Sequence, residues 1–159
     1  MKLVFEITTS ATTSLTPDQV IAAAADFSEA REKLWPNSKD KYLRVHDEGA
    51  GFAEVTEAFR MVGVFWERSR YDWSQPGTIR QTVIDSNVVG PRSTWELAAT
   101  PAAEGSEVVM RLSREFRPSA KGKVGWTLNH LAGTWLWRSY LRRALAEAEK
   151  RGNRDEPAA

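Results

Sequence analysis

Cysteine is absent from the chain. Disulfides, thiol nucleophiles and cysteine-bound metals are therefore excluded. Histidine is scarce, with 2 in 159 residues, and the two stand in different segments, at His46 and His130. No metal site is expected from so few ligands. No apolar run is long enough to span a bilayer. The opening stretch MKLVFEITTS lacks the apolar segment and cleavage site of a secretory signal. There is no Gly-rich phosphate loop, no HExxH and no GxSxG elbow. An excess of one charge is missing too: the formal net charge is +1, which argues against nucleic acid as a partner. Basic residues do gather late, at Arg138, Arg142, Arg143, Lys150 and Arg151, but Glu147 and Glu149 interleave with them. They read as a solvated helix end, and Lys121-Gly122-Lys123 as a solvated helix start. The expectation is a soluble, cytoplasmic protein with no cofactor and no integral membrane association.

What is present divides into three parts. Residues 3–14, LVFEITTSATTS, are rich in β-branched residues and predict a first strand. Thr16-Pro17-Asp18-Gln19 then carries a helix start: a threonine N-cap, a proline at the first helical position, and a glutamine placed to bond back to the cap. Val20, Ile21, Ala24 and Phe27 form the apolar stripe of that helix. A second short helix is expected from Ser28 to Leu34, ending before Pro36. Residues 41–117 show short strand-like segments separated by turn signals, which predicts six consecutive antiparallel strands. The third part is one long helix from Ala120 to Arg151. Trp126, His130, Gly133, Trp137, Leu141 and Ala144 recur in it at three- and four-residue steps as an inward stripe. Residues 1–151 are expected to form a single domain and 152–159 a disordered polar tail.

The strand FWERSRYDW, residues 65–73, carries both rings and charges on each of its faces. A type II turn at Pro76-Gly77 predicts pairing of Trp73 with Arg80, Tyr71 with Thr82, Ser69 with Ile84 and Arg68 with Asp85. Closure at Gly90-Pro91 predicts Asp85 opposite Glu96. The last hairpin predicts Glu96 opposite Arg111 and Leu97 opposite Met110. Arg68, Asp85, Glu96 and Arg111 then share an exposed convex face. A left-handed glycine at Gly63, in a three-residue loop Met61-Val62-Gly63, places Glu57 and Glu67 side by side on the concave face. Phe65, Glu67, Ser69, Tyr71 and Trp73 point the same way, into an interior too polar to be only a core.

The pieces VFEITTSATTSLTPDQVIAAAADF, GFAEVTEAFRMVGVFWERSRYDWSQPGTIRQTV and STWELAATPAAEGSEVVMRLSREF, in this order, resemble the SRPBCC or START-like superfamily. Its polyketide cyclase/dehydrase and lipid-transport families look nearest. The resemblance implies an α+β helix-grip fold: a curved seven-stranded antiparallel sheet around a long C-terminal helix, with two short helices after the first strand. It implies a cavity between sheet and helix for a hydrophobic small molecule such as a lipid or polyketide. Some members catalyse cyclisation, aromatisation or dehydration.

The residues themselves supply candidates for such a cavity. Ser69, Tyr71, Trp73, Thr82, Trp95, Arg114, Trp126, His130 and Trp137 are candidate ligand contacts: rings for the walls and a few placed polar groups. Glu57, Glu67 and His130 are candidate acid/base groups. Each has a bland alternative. Either carboxylate could face water or pair with Arg60 or Arg114, and His130 could be a core or helix-end histidine. Arg114 either anchors an acidic head group or pairs with an inward carboxylate. The tryptophans are core or cavity wall. His46, beside Asp47 and Glu48, reads as a surface residue. Three functions follow: a carrier or sensor for a hydrophobic or aromatic molecule; a cyclase- or dehydratase-type enzyme; or an interaction protein whose groove takes a partner. The outward rings of Trp66 and Phe52 leave a homodimer open.

Overall fold

The computed structural model describes residues 2–155. β1 (Leu3–Thr13) leads to α1 (Pro17–Ala24), α2 (Arg31–Leu34) and a 3₁₀ turn (Asp40–Tyr42). A meander follows: β2 (Arg44–Gly49), β3 (Phe52–Met61), β4 (Gly63–Asp72), β5 (Thr78–Ser86), β6 (Thr94–Ala102) and β7 (Gly105–Phe116). α3 (Ala120–Asp155) closes the chain. All seven strands make one sheet in the order β1-β7-β6-β5-β4-β3-β2. β1 returns to the far end of the meander and pairs antiparallel with β7, from Leu3 opposite Phe116 to Thr13 opposite Ser106. This is the helix-grip arrangement expected from the sequence.

Local chemistry sets the first helices. The backbone N–H of Gln19 donates to Thr16 Oγ1 at 3.3 Å, and that of Thr16 donates to Gln19 Oε1 at 2.9 Å. Two unpaired donors of the helix start are thus satisfied. Val20, Ile21 and Ala24 are buried as expected. α2 begins at Arg31 rather than Ser28. The Asp26 and Ser28 side chains take the N–H groups of Ser28 and Ala30 at 2.9 and 3.3 Å and hold a turn there instead.

The sheet confirms some pairings and shifts others. Gly63 has φ +82°, and Glu57 stands opposite Glu67. Glu96 stands opposite Arg111 and Leu97 opposite Met110. Between β4 and β5 the register differs by one residue: Tyr71 faces Gln81, not Thr82. The Pro76-Gly77 turn is present, with Gly77 at φ +73°. However, the Trp73 N–H donates to Gly51 O at 2.8 Å, so Trp73 pairs toward the β2–β3 turn and not with Arg80. The shift buries Ile79, Gln81 and Val83, and turns Thr82 to the convex side. Burying two branched apolar residues decides the register. A bulge between Arg68 and Ser69 then restores Arg68 opposite Asp85, leaving Ile84 as the extra residue, 45% exposed.

The expected hairpin at Gly90-Pro91 is also corrected. Arg80, not Asp85, faces Glu96. The ladder ends where Val83 bonds Ser93 and Arg92, at 2.9 and 3.1 Å. The chain between them makes a long loop that buries Val88 and Val89, with Val89 bridged to Phe116. Ser86 Oγ holds the loop by accepting from both valine N–H groups, at 2.9 and 3.2 Å. Arg68, Asp85, Glu96 and Arg111 do lie on the convex side, and Glu96 pairs with Arg111 as expected, but the ion-pair partners of Arg68 and Asp85 differ. Arg68 pairs with Glu54, Asp85 with Arg117 at 3.0 Å, and Glu96 with Arg111 at 3.3 Å.

α3 packs chiefly on β1. A Cβ at Gly133 would meet Phe5 Cζ at 2.5 Å, so only glycine lets the helix lie this close. Gly133, Leu141 and Ala144 are buried and Trp126 and Trp137 half-buried, but His130 is exposed. The helix passes the expected end at Arg151 and runs to Asp155, and Arg151 Nη2 donates to Ala30 O at 2.8 Å. The disordered tail expected from residue 152 is thus helical to 155. Residues 156–159 lie outside the described residues.

Candidate ligand-binding site

A cavity of about 290 Å³ lies between the concave face of the sheet and α3. Phe65, Val88, Val89 and Trp95 wall it from the sheet and the β5–β6 loop, and Leu128, Leu136 and Trp137 wall it from the helix. Its charged groups form two ion-paired clusters supplied by β3, β4, β5, β7 and α2, and Asn129 and Tyr140 of α3 and Asn37 add further polar lining.

Arg31, only 3% exposed, donates from Nε to Glu57, and Tyr71 donates its hydroxyl to the other carboxylate oxygen. Arg31 Nη1 also donates to Ala24 O at 2.9 Å and Asp26 O at 3.2 Å. Its guanidinium carbon lies 4.2 Å from the Phe27 ring centre and 5.1 Å from that of Tyr71. Burial pushes the Glu57 carboxyl up, but the charge and hydrogen bond of Arg31 outweigh it and hold Glu57 below its ordinary value. Burial and the neighbouring Glu57 carboxylate push the Tyr71 phenol well above its ordinary range. Glu57 is therefore ionised and Tyr71 neutral at pH 7.

The second cluster centres on Arg114, 6% exposed. It donates to Glu67 Oε2 at 2.8 Å and to Gln81 Oε1 at 3.1 Å. Gln81 Nε2 donates to Ser69 Oγ at 3.0 Å. Both arginines thus have a carboxylate partner, and both carboxylates an arginine, as buried charges require. Trp35 also lines the cavity, and its buried indole N–H lacks a partner among the described residues.

Of the candidates read from the sequence, Glu57, Glu67, Tyr71, Trp95, Arg114 and Trp137 line the cavity. Ser69 is fully buried behind Gln81. Trp73 lies past the end of β4, its ring centre 6.3 Å from that of Phe27. Thr82 faces the convex side, moved there by the register shift. Trp126 is half-buried against β1, its N–H donating to Val4 O at 3.3 Å. His130 is exposed, stacked on Trp126 with centroids 4.9 Å apart, and is not part of the cavity lining. The helix turns its inward face toward Gly125, Asn129 and Trp137 instead. His46 is exposed, bonded to Thr56 Oγ1 at 2.7 Å. Arg31, Gln81 and Trp35 escape a reading of the sequence. Arg31 sits in a four-residue helix with no periodicity to point it inward, and Gln81 is inward only through the register shift.

Several solved structures share this architecture. The Zhui aromatase/cyclase from Streptomyces sp. R1128 is 18% identical with a TM-score of 0.73, covering 93% of this chain and 95% of its own. TTHA0849 from Thermus thermophilus is 17% identical with a TM-score of 0.69, covering 92% and 96%. Major latex-like protein 151 from Panax ginseng is 8% identical with a TM-score of 0.62, covering 93% and 97%. At these identities the likeness is one of fold. No curated protein matches the sequence. Residues 4–151 match the family described as polyketide cyclase / dehydrase and lipid transport. With the seven-stranded sheet, the gripped helix and the cavity between them, the chain belongs to that family.

Proposed function

We propose that this protein binds one small hydrophobic or aromatic molecule in the cavity, as a carrier or sensor. The observation that carries this reading is the pairing of each inward carboxylate with its own buried arginine. A general base needs a free lone pair and a pKa near the working pH. Glu57 offers neither: its oxygens are taken by Arg31 and Tyr71, and its pKa is lowered. The two clusters form a fixed polar floor under apolar walls, the usual composition of a ligand pocket. A volume near 290 Å³ falls at the lower end of ligand-pocket sizes, about 300–1,000 Å³, which fits a compact ring system. Native mass spectrometry tests the reading. A small molecule that co-purifies and is lost on denaturation supports it. An empty protein that also leaves apolar ring probes unbound overturns it.

A second reading is an enzyme of the cyclase or dehydratase kind. It draws on the two carboxylates and the phenol in the cavity lining and on the aromatase/cyclase named among the similar structures. Here Glu57 would hold the Tyr71 proton and so turn a lone pair of the phenol oxygen toward the substrate as an acceptor. Incubating the bound molecule with the protein and with Glu57→Gln separates the two: a mass change seen only with the unaltered protein favours the enzyme.

A further inference from the structure

α3 leaves an apolar stripe in solvent. Leu131 is 78% exposed and Trp135 70%, and Val124 and Leu128 are exposed beside them. These four positions fall within roughly 60° of arc at 100° per residue, on the side of the helix away from the sheet. The stripe continues into the cavity mouth, where Met61, Leu128 and Leu136 are both exposed and part of the lining.

The charges around the stripe are all of one sign. Residues 120–146 hold Lys121, Lys123, Arg138, Arg142 and Arg143 and no Asp or Glu, a balance of +5 in a chain whose total is +1. Lys123, Arg138, Arg142 and Arg143 are exposed and have no carboxylate partner among the described residues. A helix face with leucines and a tryptophan flanked only by cations fits the interface of an anionic lipid bilayer. A second copy fits poorly, because a two-fold contact would press the same cations together. A protein partner would need a groove shaped to a convex helix, whereas a bilayer needs none. No described helix is long and apolar enough to cross a membrane, so the contact is peripheral.

We infer that the outer face of α3 docks on an anionic lipid surface, with the cavity mouth at its edge. This rests on the surface alone and holds whatever the cavity binds. The test is co-sedimentation of the full chain with vesicles of phosphatidylcholine alone and of an equimolar mixture with phosphatidylglycerol. The expected result is binding to the anionic vesicles only, weakened by salt. Leu131→Ser with Trp135→Ser abolishes it without changing the circular dichroism, since both residues are exposed. Lys123→Glu with Arg142→Glu weakens it at least roughly tenfold. Equal binding to both vesicle types, or binding indifferent to Leu131→Ser/Trp135→Ser, overturns the inference. So does an unbound protein, which would leave the face to an acidic protein surface, and so does a dimer that these substitutions dissolve.

Discussion

Glu57 and Glu67 stand directly opposite each other on β3 and β4, yet each turns its carboxylate to a different arginine. Two facing carboxylates would otherwise repel and force one to keep a proton. Arg31 from α2 and Arg114 from β7 answer that conflict by giving each carboxylate its own cation. The pair therefore couples the short helix, the middle of the sheet and its far strand in one electrostatic unit.

Glu57→Gln leaves the Arg31 guanidinium buried without its counter-charge. Unfolding free energy should fall by about 3–5 kcal/mol. Arg31→Met added to Glu57→Gln should recover a substantial part of that loss, because the stranded cation is gone. Denaturant midpoints of the two single variants and the double variant measure this. A double variant as unstable as the sum of the singles would show that the pair is not a coupled unit.

Acid should weaken the fold through the same residue. The Glu57 carboxyl lies below its ordinary value of 4.5 when folded. A depressed carboxyl pKa contributes stability above the unfolded value and loses it as pH falls through the folded one, since the unfolded chain binds the extra proton. Urea stability should therefore decline from about pH 4.5 downward, with a shallower decline in Glu57→Gln. Equal slopes in the two proteins would count against this.

Alkali acts through Tyr71 with the opposite sign. Its raised pKa means that the folded state keeps the phenol proton while the unfolded chain gives it up above the ordinary value of 10.0. Stability is full below that value and declines as pH rises above it. Phenolate absorbance from Tyr71 should appear only with unfolding. A Tyr71→Phe protein that loses phenolate signal in the still-folded range would contradict this.

Gly133→Ala should destabilise by about 1–3 kcal/mol, through collision of the new methyl with Phe5. Phe5→Leu in the same chain should restore part of it by opening space under the helix. Thermal unfolding of the three proteins decides the matter, and additive losses would rule out the contact as the cause.

The fold was legible wherever a local signal settled the geometry. Thr16, Pro17 and Gln19 mark a helix start by their hydrogen-bonding chemistry, and Gly63 marks the turn that faces Glu57 with Glu67. The β4–β5 register was not legible, because the turn alone does not say whether Ile79 and Val83 or Thr82 and Ile84 face the concave side. The β5–β6 loop was hidden because Val88 and Val89 pack against a strand far along the chain. His130 shares the stripe of Gly133, Leu141 and Ala144 yet is exposed, because spacing gives the face of a helix but not how far the sheet covers it. Six candidates reach the cavity, and Arg31 was out of reach because nothing local points a charged side chain inward.

The bulge beside Ser69 splits the β4–β5 ladder into two stretches whose side chains alternate out of step. One stretch carries the loop at residues 73–77, and the other carries Glu67 opposite Ser86. The extra residue acts as a phase shifter: Val83 and Ser86 stand three apart on β5, yet both are buried. It sets the Ser86 hydroxyl where it can anchor the β5–β6 loop whose valines wall the cavity.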